Sequence, residues 1–203
     1  MAKLGKKITL RRKSAETDVR VELELSPGPS PMSTGVGFLD HLLASLAHHA
    51  GWSLSLTCSG DLPVDDHHSV EDCAISLGLA LKKAIENTGA IRRFGSAYAP
   101  LDEALARAVV DISGRPWCDV DLALERQMIG TLAAENLPHF LLSLANNAGI
   151  TLHVDVLKGS NAHHKAEAAF KALALALRQA LEPRDGESGD VNSTKGKPIL
   201  EIK

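Results

Sequence analysis

The chain has 203 residues, enough for one large domain or two small ones sharing a core. Hydrophobic residues make up 44% and aromatics only 3%, so a buried interior is feasible and Ala, Leu, Val and Ile must fill it. A net charge of −3 without a basic block argues against nucleic acid or an anionic membrane as the main partner, and no apolar run reaches membrane-span length.

The start, Met1 to Lys7, is basic but has no apolar core of signal-peptide length behind it. Thr17 to Leu25 alternates Val19, Val21, Leu23 and Leu25 with charged residues, which predicts a half-buried strand. Pro27 to Pro31 is a loop, and Phe38, Leu39, Leu42, Leu43 and Leu46 recur at helical spacing until Gly51. Trp52 to Thr57 predicts a short strand and Ser59 to Asp66 a loop. A long helix follows, with Val70, Ala74, Leu77, Leu81 and Ile85 on one face. Cys58, Cys73 and Cys118 are odd in number and scattered, the pattern of reduced thiols in a cytoplasmic protein.

The second half repeats the plan. Ala108 to Ile112 and Cys118 to Leu124 predict strands, Leu137 to Ala148 a helix ended by Gly149, and Ile150 to Leu157 a strand. Lys158 to Asn161 is a loop, and Ala162 to Leu181 a helix with Ala166, Phe170, Leu173 and Leu177 inward. Leu39 to Gly51 aligns without a gap on Leu137 to Gly149. Each half then offers a short strand, a loop and a His-His-x-x-Glu motif: His67, His68 and Glu71, or His163, His164 and Glu167. Chance similarity of two Leu-Ala helices explains the apolar matches but not the coincident histidines, so the chain is a tandem duplication.

On a helix, residues four apart are offset by about 40° and neighbours by about 100°. If each motif lies in the first turn of its helix, the first His and the Glu can grip one ion, and the second His turns towards another. His41 and His139, register-matched between the halves, complete a set of six imidazoles and two carboxylates, three and one per ion. Such donors suit Mn, Fe, Co, Ni or Zn rather than Mg or Ca. One such motif could be coincidence; two in register are much harder to dismiss. His48 and His49 align with Asn146 and Asn147 and read as structural or peripheral, and His153 lies on the polar side of its strand. Ser193-Thr194-Lys195-Gly196 resembles a small phosphate cradle, and Arg92-Arg93-Phe94-Gly95 and Ser113-Gly114-Arg115-Pro116 set arginine beside glycine turns. Each is weak by itself.

Together these segments, with Ser33 to His41 and Asp66 to Asp72, resemble the imidazoleglycerol-phosphate dehydratase family of histidine biosynthesis, in family order along nearly the whole chain. The resemblance implies an α+β fold, with a four-helix bundle between two four-stranded mixed sheets, one from each half-domain (1–95, and 96–203 with a phosphate-binding tail). It implies two Mn ions per active site and a homo-oligomer, a 24-mer with sites at subunit interfaces. Carried over by motif, the metal ligands are His41, His67, His68, Glu71, His139, His163, His164 and Glu167. Phosphate falls to Arg93, Arg115, Ser193 and Lys195. Glu16 matches a glutamate at the substrate, and Asp102 and Lys171 match polar residues near the site. Ser45 stands where the family usually has an amide, and Asn192 replaces a proline before the C-terminal motif.

The implied reaction has no carbonyl to activate it, so the substrate's imidazole must drive it. The expected course holds the ring as an imidazolate between two Lewis-acid ions and expels the adjacent hydroxyl to leave a diazafulvene-like intermediate. A glutamate (Glu167, Glu71 or Glu16) removes the proton from the next carbon, and the resulting enol becomes a ketone. A two-metal hydrolase and a metal-storage or sensor protein are the rival readings. The first lacks an Asp-rich ligand motif here, and the second needs no anion elements.

Overall fold

The computed structural model describes residues 6–184. The first half runs β1 (Ile8–Lys13), β2 (Thr17–Glu24), β3 (Met32–Ser33), α1 (Gly37–Ala50), β4 (Ser53–Gly60) and α2 (His67–Glu86). The second runs β5 (Phe94–Leu101), β6 (Ala104–Asp111), β7 (Trp117–Asp121), a small hairpin of β8 (Met128–Ile129) and β9 (Leu132–Ala133), α3 (Asn136–Ala148), β10 (Thr151–Lys158) and α4 (Ala162–Ala180).

Both halves build the same four-stranded mixed sheet. The orders are β1-β2-β4-β3 and β5-β6-β10-β7, with β3 parallel to β4 and β7 parallel to β10 across the α1 and α3 connections. Alternation explains the faces: Val19, Val21 and Leu23 on β2 are fully buried, whereas Arg20 and Glu22 between them are exposed. α1 and α3 both end on a glycine in the left-handed region, Gly51 at φ 72° and Gly149 at φ 69°, which a residue with a Cβ would strain to adopt.

The helices pair across the duplication: α2 packs on α3, and α1 on α4. α2 also covers the first sheet and α4 the second, so the four helices form a layer between the sheets. One hydrophobic cluster runs through both halves, from Val19 and Leu43 to Phe140 and Leu177. The α2–α3 crossing is close at Gly78, where a Cβ would come within 2.8 Å of the Leu144 carbonyl oxygen.

Sequence periodicity does not reveal β1, β3, β5 or the β8–β9 hairpin. β1 and β5 carry mixed polar and small residues, and pairing with β2 and β6 decides them. Gly95 therefore sits in strand β5 and not in a turn. Its bare Cα lets the strand approach α4, since a Cβ there would lie 2.0 Å from the Ala176 carbonyl oxygen. Gly114, at φ 75°, is in a turn as expected. Among the described residues, no helix is long and apolar enough to cross a membrane.

Candidate metal centre

Both His-His-x-x-Glu motifs occupy the first turn of their helices, and the same local device starts each. Two residues before the first histidine, a short polar side chain accepts that histidine's backbone N–H: Asp65 for His67 and Asn161 for His163, each at 2.9 Å. On α1, the Thr34 backbone N–H and hydroxyl both donate to Asp40, at 2.8 and 2.7 Å, fixing the turn that carries His41.

Because the helices pair across the halves, so do the candidate ligands. His41 on α1 meets His163 and Glu167 on α4, and His139 on α3 meets His67 and Glu71 on α2. In each group, one donor atom per residue lies within 4.8 Å of the others. Glu167 Oε1 is 2.8 Å from His163 Nε2 and 3.2 Å from His41 Nε2, and Glu71 Oε1 is 3.0 Å from His139 Nε2. Two imidazoles and a carboxylate with donors this close fit a transition ion.

The second histidines turn away, as helical geometry requires. The His67 and His68 rings are tilted by 72° and those of His163 and His164 by 83°. Neither His68 nor His164 joins its own chain's groups. Each is oriented by a carboxylate instead: His68 Nδ1 donates to Asp61 at 3.0 Å and His164 Nδ1 to Glu103 at 2.7 Å, leaving Nε2 as the available donor atom. These bonds raise both histidine pKa values. Glu103 also accepts the backbone N–H groups of Ser160 and Asn161. The His164 bond first, then those backbone donors, hold its pKa down at about 2. Asp61 and Glu103 escaped the sequence reading; one lies in a loop and the other is 61 residues from its partner.

Glu16, in the β1–β2 turn, comes within 3.8 Å of His68 Nε2, and Asp102, in the matching β5–β6 turn, within 3.9 Å of His164 Nε2. Thr17 beside Glu16 donates to the buried Asp72 of α2, which also pairs with Arg12 at 2.6 Å, so the turn is tied to the motif helix. Lys171 Nζ stands 3.2 Å from Glu167 Oε2. Burial raises the Glu167 pKa, but His41, Lys171 and His163 outweigh it and the net shift is downward. His49, read as peripheral from its alignment with Asn147, feels this cluster. Burial first, then His48 and Lys171, lower its pKa.

Arg93 and Arg115 are not brought to the metal groups of their own chain. The Arg93 backbone bonds to Ala180 at the far end of α4, and its guanidinium pairs with Asp111 at 2.6 Å. Arg115 lies beside Thr151, at the far end of β10. His163 and Ala180 are seventeen positions apart along α4, roughly 25 Å. Asn192, Ser193 and Lys195 lie outside the described residues.

The family model for imidazoleglycerol-phosphate dehydratase matches residues 34–177. The chain belongs to that family. The Neurospora crassa enzyme of that name is 53% identical over 190 residues, covering 89% of this chain and 83% of its own. The Saccharomyces cerevisiae enzyme is 56% identical over 163 residues, covering 80% and 73%. Among solved structures, the Staphylococcus aureus dehydratase has a TM-score of 0.80 at 38% identity, covering 87% of this chain and 98% of that one. The Pyrococcus furiosus dehydratase, solved with (S)-C348, has a TM-score of 0.78 at 38% identity, covering 92% and 99%. Membership makes the chain a hydro-lyase of a metal-dependent family, serving the dehydration step of histidine biosynthesis.

Proposed function

We propose that the chain dehydrates D-erythro-imidazoleglycerol phosphate to imidazoleacetol phosphate, using two Mn ions per active site. The observation that carries this reading is the pair of cross-half His-His-Glu groups. Bound ions would supply Lewis acidity, favouring the deprotonated form of the substrate's imidazole ring.

The chain's own residues divide the remaining work. Glu71 and Glu167 are taken up as ligands, with His41, His139 and the first histidine of each motif. Glu16 is outside both groups but beside a motif histidine, so of the three candidate bases it is the carboxylate placed to accept the carbon-bound proton. The C–H pair forms the new double bond, the adjacent C–O bond breaks, and the hydroxide released together with the proton taken up by Glu16 makes one water; the enol then tautomerises to the ketone. Asp102 and Lys171 line the other motif's side.

Each group shows three donors, while His68 and His164 turn outward. In this reading those histidines complete the groups of neighbouring copies, in a 24-mer with active sites at its interfaces. The placement of Arg93 and Arg115, roughly a helix length from their own chain's groups, fits the same arrangement. They would bind phosphate on a neighbour's substrate, with Ser193 and Lys195 contributing from the tail. The half-domains 1–95 and 96–203 then act as one unit, in the cytoplasm, where Cys58, Cys73 and Cys118 stay reduced.

One assay decides the function. Mn-loaded protein incubated with imidazoleglycerol phosphate should yield imidazoleacetol phosphate. Release of inorganic phosphate would favour a two-metal hydrolase, and no turnover a storage protein.

A further inference from the structure

The duplication supplies an internal control for each side chain of the site. The ungapped match of α1 with α3 places Phe38 opposite Asn136, three residues before His41 and His139. Both face the first histidine of the other half's motif, with different chemistry. The Phe38 ring lies 4.7 Å from that of His163, tilted by 43°, so this imidazole packs on an aromatic face. Asn136 is only 4% exposed, and its Oδ1 lies 3.0 Å from His67 Nδ1.

An imidazole that binds an ion through Nε2 carries its proton on Nδ1, and a buried acceptor there fixes both the tautomer and the ring's orientation. We propose that Asn136 is a positioning residue that holds His67 in the Nδ1–H tautomer and makes the two metal centres unequal, the His67–Glu71–His139 centre binding its ion more tightly. At the His163 centre, Phe38 restrains the ring by contact without selecting a tautomer. The α1–α4 and α2–α3 crossings thus give one centre an apolar wall and the other a hydrogen-bond acceptor.

The inference rests on the two-ion reading above, but one arm of its test needs no metal. In metal-free protein labelled with nitrogen-15 at histidine, His67 should show the Nδ1–H tautomer, and Asn136→Leu should convert it to a mixture. Asn136→Asp, which keeps an acceptor at the same place, should restore it. Equilibrium dialysis against Mn should then resolve two classes of ion in the wild type. Asn136→Leu should weaken one class by about ten- to a hundredfold and leave the other unmoved, and Asn136→Asp should keep the wild-type order. A wild-type His67 protonated on Nε2, superimposable Leu and wild-type isotherms, or equal weakening of both classes would overturn the proposal. Fewer than two ions per wild-type chain would sink the two-ion reading, while the tautomer measurement still decides this one.

Discussion

The two metal groups come from the same duplicated plan, yet their carboxylates sit in different surroundings. The Glu167 side chain is 13% exposed and lies within reach of His41, His163 and Lys171. The Glu71 side chain is 34% exposed and pairs with His139. Where α4 has Lys171, eight residues after the motif's first histidine, α2 has Ile75. Duplication kept both His-His-Glu groups and let their surroundings diverge, so in the two-ion reading proposed above the surroundings are what would set the two centres apart.

The largest expected effects come from the carboxylates. Glu167→Gln should lower kcat far more than it changes substrate affinity, by about 10³-fold or more, and should also cost one ion per chain. Glu71→Gln removes a more exposed ligand with fewer partners and should lose less. Glu16→Gln should reduce kcat by about 10²- to 10⁴-fold while both ions stay bound. Metal content measured beside turnover separates the three. If Glu16→Gln stripped an ion, the division between ligand and base would fail; unchanged turnover in Glu167→Gln would exclude that residue from the chemistry.

What the sequence disclosed follows the range of its signals. Helices α1 to α4 are legible from their period, α1 and α3 also from their glycine stops, and β2 from strict alternation. The duplication by itself matches His41 with His139. Partner choice was not legible: nothing local says that His41 meets His163 rather than His67, because helix crossings decide it. Asp61, Glu103 and Asn136 were invisible for the same reason. Each acts on a histidine through a contact set by the fold, and Asn136 reaches 69 residues back to His67.

The two helix crossings offer a smaller test. Eleven residues after the motif's first histidine, α2 has Gly78 and α4 has Ala174. A Cβ at Gly78 would meet the Leu144 carbonyl oxygen and Asn147 Cβ, both at 2.8 Å. Overpacking typically costs about 1–3 kcal/mol, whereas Ala gains about 1 kcal/mol over Gly in helix propensity. Gly78→Ala should therefore destabilise by up to about 2 kcal/mol and loosen the Glu71 centre before the Glu167 centre. Ala174→Gly, the reverse exchange on α4, should cost about 1 kcal/mol through propensity and about 0.8 kcal/mol more for its fully buried methyl. Urea unfolding of both variants checks the pair, and a stabilised Gly78→Ala would show that the α2–α3 crossing can relax.

The smallest effect separates the two outward histidines by pH. Glu103 has its pKa depressed to about 2, so its charge supports the fold above its unfolded value of about 4.3 and loses that support as pH falls through 2. His164 has its pKa raised, chiefly by Glu103; its contribution is complete below about 6.5 and fades as pH rises through the elevated value. In metal-free protein, the stability gap between wild type and Glu103→Gln should be widest between roughly pH 4.3 and 6.5 and closed near pH 2. On the alkaline side part of the gap should remain, because Glu103 still accepts the Ser160 and Asn161 backbone N–H groups. His68 has its pKa raised chiefly by Asp61, whose bond to it is the counterpart in the first half. For Asp61→Asn the gap should therefore close as pH rises through the His68 value. Urea midpoints at pH 2.5, 5.5 and 8.5 would reveal the contrast, and identical alkaline behaviour of the two variants would show that the backbone bonds of Glu103 contribute nothing to the difference.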